Sequence, residues 1–208
     1  AQEMTNMMVG REVKLNIDRP EPHDVKPRIK VKGLTVRSDD GLLKLDDVSF
    51  TANTGEVLGI AGISGCGQKE LCEAIAGLRP IEKGQMIHQG DNIVGLPPKA
   101  ILAKGISMSF IPEDRLGMGL APSMSITDNM ILKKYSHSPG IFVDRKTGRA
   151  DAEQVIRDLE VVTPSADTPV RRLSGGNVQK VLLGREIKAR PNVIVTAYPV
   201  RGLDINSS

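Results

Sequence analysis

The chain has 208 residues, 39% of them hydrophobic and 25% charged, with a formal net charge of +3, which suits one domain with a sizeable core plus a tail. Aromatic residues make up only 2%, with no Trp, so the stacking platforms of single-strand nucleic-acid binders are scarce, and no long basic run asks for a nucleic-acid partner. No apolar run reaches the roughly 20 residues that span a bilayer, residues 1–10 lack a signal-peptide layout, and Cys66 and Cys72 share one loop-to-helix junction where neither a disulfide nor a zinc site is expected.

Residues 1–9 read as the last turns of a helix, stopped at Gly10, with Met4, Met7 and Met8 packing it; a disordered leader is the alternative. Pro20, Pro22 and Pro27 among charges predict a stiff linker. Residues 1–28 are thus set apart from a domain over residues 29–208. Residues 29–31 and 34–36 alternate as strands before the turn signal Asp39-Asp40-Gly41. Residues 45–52 alternate again and end at Asn53-Thr54-Gly55. Residues 56–61 form a short, nearly all-apolar run, as expected of a strand buried on both faces. A Gly-rich loop follows, then helical spacing over residues 69–78. Further on, residues 106–111 predict a strand stopped by Pro112, residues 125–132 and 149–159 predict helices, and residues 193–197 predict a second buried strand. An antiparallel β layer beside a parallel core fits this order.

The sharpest motif is Leu173-Ser174-Gly175-Gly176-Asn177-Val178-Gln179-Lys180. A Ser and two glycines at a helix start present a hydroxyl and backbone N–H groups at the positive end of the helix dipole, which suits a nucleotide's terminal phosphate. The competing reading is an ordinary N-cap by Ser174.

In context, this segment resembles the signature motif of ATP-binding cassette proteins, in the form ending Asn-x-Gln-Lys found in simple-sugar and nucleoside importers. The other family segments follow in order: the phosphate loop Gly62-Ile63-Ser64-Gly65-Cys66-Gly67-Gln68-Lys69 leading into Glu70, then Ile111-Pro112-Glu113-Asp114-Arg115, then Arg201-Gly202-Leu203-Asp204. The resemblance runs from about residue 29 to the end of the chain. It implies an α/β P-loop cassette with a mostly parallel core sheet, an antiparallel β subdomain and an inserted helical subdomain carrying the signature. Met7-Met8-Val9-Gly10-Arg11-Glu12 resembles the tail that closes the first cassette of tandem importer subunits. A second cassette is therefore implied, C-terminally truncated, because the family's switch His and last strands would follow Asp204. Residues 163–169 lean toward the nucleoside-importing branch.

Measured against that family pattern, several hydrolytic positions are replaced. Gln68 stands where the phosphate-neutralising Lys belongs, and Lys69 where a Ser or Thr would ligate Mg²⁺. Lys69 sits one helical step, about 100°, from the direction of the lost lysine. Ala197 and Tyr198 occupy the eroded Walker B positions of the metal-supporting Asp and water-polarising Glu, and neither can accept a proton from water. Glu113 replaces the middle-loop Gln, and no aromatic residue lies near Asp39 to stack on adenine. The resemblance thus implies ATP as ligand, no side-chain ligand for Mg²⁺ at this cassette's own site, and no catalytic residue there.

Since cassettes of this family pair head to tail, Ser174-Gly175-Gly176 would complete a site whose phosphate loop belongs to a first cassette, in the same or a partner chain. Asp204 would lie at the cassette seam and Glu113 near the membrane subunit. The implied partners are integral membrane permease subunits and, indirectly, an extracytoplasmic solute-binding protein, with the cassette peripheral on the cytoplasmic face. Two alternatives are a pseudo-ATPase scaffold that binds no nucleotide, and a soluble cassette ATPase of repair or translation. Low aromatic content and the importer-type signature oppose the second. His23, His88 and His137 fall in polar surroundings and are expected at the surface. Arg171-Arg172 is expected as a solvated pair, and no carboxylates show metal-ligand spacing.

Overall fold

A computed structural model describes residues 21–22, 24–63, 65–104, 115–132 and 143–197. They form two compact units: residues 21–104 with 191–197, and residues 115–190.

The first unit is built on β1 (Pro27–Arg37), β2 (Leu43–Asn53), β3 (Lys83–His88) and β4 (Asp91–Asn92), with α1 (Gln68–Ile75) and α2 (Pro98–Ala103). The strands form one four-stranded sheet in the order β2-β1-β3-β4, antiparallel throughout. The two predicted segments 29–31 and 34–36 are one strand. Ile29 and Val31 are buried, then the phase shifts and Leu34 and Val36 are buried. Gly33 absorbs the extra residue at φ +60°, and its N–H donates to Ser49 Oγ at 2.9 Å, so β1 carries a bulge that keeps both halves facing one core. The turn at Asp39-Asp40-Gly41 is present, closed by the Gly41 N–H on Ser38 O at 2.9 Å.

Helix α1 stops at a Schellman motif, two residues after its last turn. The Gly77 N–H donates to Ala74 O at 3.1 Å and the Leu78 N–H to Glu73 O at 2.9 Å, with Gly77 left-handed at φ +67°. Leu71, Ala74 and Ile75 of α1 and Ile101 of α2 pack onto Ile29, Val31, Leu34, Val36, Leu45, Met86 and Ile93, with Val193 and Val195 at the margin.

Three expectations are corrected here. Residues 56–61 form no strand among the described residues: Val57 is 93% exposed and Ile60 50%. Of the strand predicted over residues 193–197, only a single bridge at Thr196 is found, and no ladder among the described residues. A strand buried on both faces needs a neighbour on each edge, and the strand predicted over residues 106–111 lies outside the described residues. The described sheet is therefore the antiparallel layer of the expected fold. His88, expected at the surface, is 2% exposed, and its Nε2 has no hydrogen-bond partner among the described residues. Burial first, then the charges of Arg28 and Lys104, push its pKa below the ordinary 6.5, against the opposing pull of Asp91. A depressed histidine favours the fold when neutral, so its contribution is present above about pH 6.5 and is lost as pH falls toward the folded-state value. Thermal melts should show Tm falling from pH 7.5 to 5.5, with a shallower fall in His88→Leu; equal slopes would contradict the assignment.

The second unit contains a π-helical turn (Arg115–Gly119), α3 (Ile126–Ile131), α4 (Arg145–Asp158), a 3₁₀ turn (Val170–Arg172) and α5 (Gly175–Lys188). Ser125 caps α3, accepting from the Asp128 N–H at 3.0 Å, and Asp144 caps α4, accepting from the Thr147 N–H at 3.0 Å. That second cap starts α4 earlier than its apolar spacing suggests. Buried Asn129 ties the preceding loop to α3 by accepting from the Ala121 N–H at 2.8 Å and donating to Ser125 O at 2.9 Å. Ile126, Met130, Ala152, Val155, Val178, Val181 and Leu182 form the core. α4 meets its neighbours at glycines: a Cβ on Gly184 would lie 2.3 Å from Val155 Cγ1, and one on Gly148 2.3 Å from Ile131 Cγ1. Gly184→Val should therefore destabilise the protein by about 1–3 kcal/mol in urea titration through overpacking; no loss would contradict the close approach.

Candidate functional site

The phosphate-loop residues lie between β2 and α1. Gly62, Gly65 and Cys66 are exposed and Gly67 is buried; Ser64 lies outside the described residues. Gly67 is the N-cap of α1 at φ +100°, with no side-chain cap. A Cβ there would lie 2.5 Å from Lys44 O and 2.8 Å from Leu45 Cδ2, so only glycine lets β2 press against the loop. Glu70 sits in the first turn of α1.

The side chain of Gln68 folds back over the loop. Cys66 Sγ donates to Gln68 Oε1 at 3.3 Å, and a Cβ on Gly62 would be 2.7 Å from Gln68 Nε2 and 2.4 Å from Cys66 Sγ. An amide, with no net charge, thus occupies the position expected of a lysine. Lys69 points along the helix instead, its Nζ 3.7 Å from Glu73 Oε1, and is 69% exposed. With its lysine in solvent, such an i,i+4 pair contributes about 0.3–0.5 kcal/mol, too little to hold the side chain. Helix geometry sets its direction. Glu73 is held mainly by Arg79, whose Nε donates to Glu73 Oε2 at 2.8 Å while its Nη1 donates to Asp39 Oδ1 at 3.0 Å and Arg37 O at 3.2 Å.

Backbone amides at an uncapped helix start can hold an anion, so the loop fits a phosphate. The donor set does not fit Mg²⁺: position 69 is Lys, and Ala197 offers no oxygen ligand from its side chain. No group of three His, Cys, Asp or Glu among the described residues could hold a metal. Tyr198, Glu113 and Asp204 lie outside the described residues.

The signature residues belong to the second unit. Ser174 is the N-cap of α5 at φ −65° and ψ 157°. Its Oγ accepts from the Asn177 N–H at 3.4 Å and from Asn177 Nδ2 at 2.9 Å, while Asn177 Oδ1 accepts from the Val162 N–H at 2.9 Å. The cap is formed, and it leaves Ser174 and Gly175 exposed. Leu173 is half-buried, as are Gly176 and Asn177, and Gln179 is 1% exposed. Gln179 is thus an interior residue of α5. Arg171 and Arg172 are exposed, as expected.

A family model described as ABC transporter matches residues 45–197. The chain belongs to the ABC transporter family. The glucose import ATP-binding protein of Haloferax volcanii is 36% identical over 210 residues, covering 99% of this chain and 38% of that protein. The guanosine import ATP-binding protein of Bacillus subtilis is 35% identical over 209 residues, covering 99% of this chain and 40% of that protein. The chain spans about two fifths of the length of these relatives. Among solved structures, a dimeric ATP-binding cassette in a post-hydrolysis state, bound to ADP and Pi, matches with a TM-score of 0.73 at 21% identity, covering 86% of this chain and 77% of that one. A cassette in its ADP conformation matches with a TM-score of 0.66 at 21% identity, covering 86% and 71%. At such identity the likeness establishes the cassette fold.

In this ABC cassette, two features escaped the sequence. Lys44 of β2 donates from Nζ to Gly65 O at 3.4 Å, and Arg79 clamps α1 to the β1–β2 turn. Both contacts join residues distant in the chain, so no local spacing announces them. The two thiols also part company. Burial, with help from Glu73, pushes Cys72 up to about 11, whereas Cys66 is exposed. Iodoacetamide at pH 8 should alkylate Cys66 well before Cys72, because the thiolate is the nucleophile. Equal rates by peptide mapping would contradict the burial of Cys72.

Proposed function

We propose that this cassette is one nucleotide-binding domain of an importer of nucleosides or simple sugars, the second and degenerate one of a tandem pair. Its Ser174-Gly175-Gly176, with Ser174 and Gly175 exposed, completes an ATP site whose phosphate loop lies on the other cassette. Its own loop holds nucleotide without hydrolysing it. The observation that carries this is the contrast between the two units, each taken by itself: a well-formed signature start on α5 in one, and in the other a loop with Gln68 at its lysine position and Lys69 turned to Glu73. The names of the relatives, which import glucose and guanosine, support the solute class.

The rest of the transporter follows from that reading. Separate permease subunits span the membrane, fed by an extracytoplasmic solute-binding protein, and the cassette sits on their cytoplasmic side. No described helix is long and apolar enough to cross a membrane. The test is a disulfide between Ser174→Cys and a cysteine placed in the other cassette's phosphate loop. ATP should promote the cross-link in the assembled transporter, and its absence under every nucleotide condition would count against the shared site. A second reading, a scaffold without nucleotide, is favoured by one observation: the Gln68 amide folded onto Gly62.

A further inference from the structure

We propose that Lys44 supplies to this cassette's own loop the positive charge that position 68 has lost, making it a phosphate-binding residue contributed by β2. This rests on the reading that the loop holds nucleotide.

The loop and β2 are in contact at fixed points. Gly67, the N-cap of α1, lies so close to the strand that a Cβ would meet Lys44 O at 2.5 Å, and Leu45 beside it is anchored in the core at 6% exposed. The backbone that carries Lys44 therefore cannot drift from the loop without opening the core. From that base the half-buried side chain runs along the loop, and its ammonium reaches Gly65 O at 3.4 Å. A hydrogen bond of that length to a neutral carbonyl is a weak one, so the ammonium can exchange it for a phosphate oxygen at little cost.

The other nearby cations are committed elsewhere. Helix geometry turns Lys69 along α1 toward Glu73, one step from the direction of position 68, and Arg79 is shared between Glu73 and Asp39. Lys44 forms no ion pair with a carboxylate among the described residues. Its pull on the Asp40 carboxyl is the last of the influences on that group, the first being the Ser38 hydroxyl. Lysine suits the role, since a compact charge on a flexible stem binds phosphate without the fixed fork of arginine. Gly65 is left-handed at φ +83°, with nothing within 4 Å of where its Cβ would lie, so the loop is open at that residue.

The test is calorimetric titration of ATP and of inorganic tripolyphosphate, in EDTA, into the full chain and three variants. Lys44→Gln should weaken both ligands about tenfold, the loss of one charge-assisted contact. It should also flatten the dependence of affinity on salt. Lys44→Arg should stay within about threefold of the parent. Adding Gln68→Lys to Lys44→Gln should restore binding, because the charge returns from the other side. If a variant fails to fold by circular dichroism, the parent chain answers by itself: ATP should shield Lys44, and not Lys69, from acetylation by acetic anhydride. Unchanged affinity and salt dependence in Lys44→Gln, or acetylation of Lys44 indifferent to ATP, would overturn the assignment while leaving nucleotide binding in place. A parent chain that binds neither ligand would overturn both.

Discussion

Ser174→Arg in the assembled transporter should lower ATP hydrolysis by about 100-fold or more, while Gln68→Ala leaves it within about twofold. Ser174 Oγ accepts two hydrogen bonds from Asn177, which in turn accepts from the Val162 N–H. Losing that cap costs about 1 kcal/mol, a small part of the roughly 5–15 kcal/mol that holds a domain together. The helix should persist. In the proposed shared site the larger effect is at the phosphate, where a guanidinium and its stem would fill the exposed space at the start of α5, and where removing one preorganised donor typically costs a factor of ~10²–10³ in rate. Gln68 has no such role: its amide is folded onto Gly62 and Cys66 within its own loop. Equal losses from the two changes would sink the asymmetry.

Gly67→Ala should destabilise the first unit severely, by about 2–5 kcal/mol, whereas Gly65→Ala should cost only about 1–2 kcal/mol. Both residues are left-handed, at φ +100° and +83°, a conformation that costs an L-residue about 1–2 kcal/mol. They differ in what surrounds them. A Cβ on Gly67 would lie 2.5 Å from the Lys44 carbonyl, a backbone atom that can retreat only if β2 moves, and 2.8 Å from the core residue Leu45. That overlap adds an overpacking penalty of about 1–3 kcal/mol. A Cβ on Gly65 would meet nothing within 4 Å. Urea titrations of the two variants read the difference directly. A Gly67→Ala midpoint close to that of Gly65→Ala would show that β2 is not pressed against the loop.

What the sequence revealed was chiefly local. The cap at Ser174, the turn at Asp39-Asp40-Gly41 and the glycine start of α1 depend on a few adjacent residues whose backbone preferences are strong, and each is found where its spacing predicts. The apolar run at residues 56–61 is a different matter. Such a run becomes a parallel strand only beside partners far along the chain, and no described strand pairs with it. His88 reads as a surface residue because Gln85, Gln89 and Gly90 surround it. Yet β3 buries alternate residues from Met86, and that period carries His88 inward. Lys44 and Arg79 stay hidden for another reason: each acts across the fold, through a contact that no motif encodes. The family resemblance carries the identity of the loop and the signature, and the geometry adds the direction in which Gln68 and Lys69 point.

The most direct test is calorimetric titration of ATP into the folded chain, with Mg²⁺ and again in EDTA, with ADP assayed in the same samples. Saturable binding, equal within about threefold in the two conditions and with no ADP formed, is the predicted result, since backbone amides can hold the phosphates while Gln68, Lys69 and Ala197 leave neither metal ligand nor base. Mg²⁺-dependent turnover, or no binding at all, would contradict a cassette that keeps its nucleotide and leaves hydrolysis to its partner.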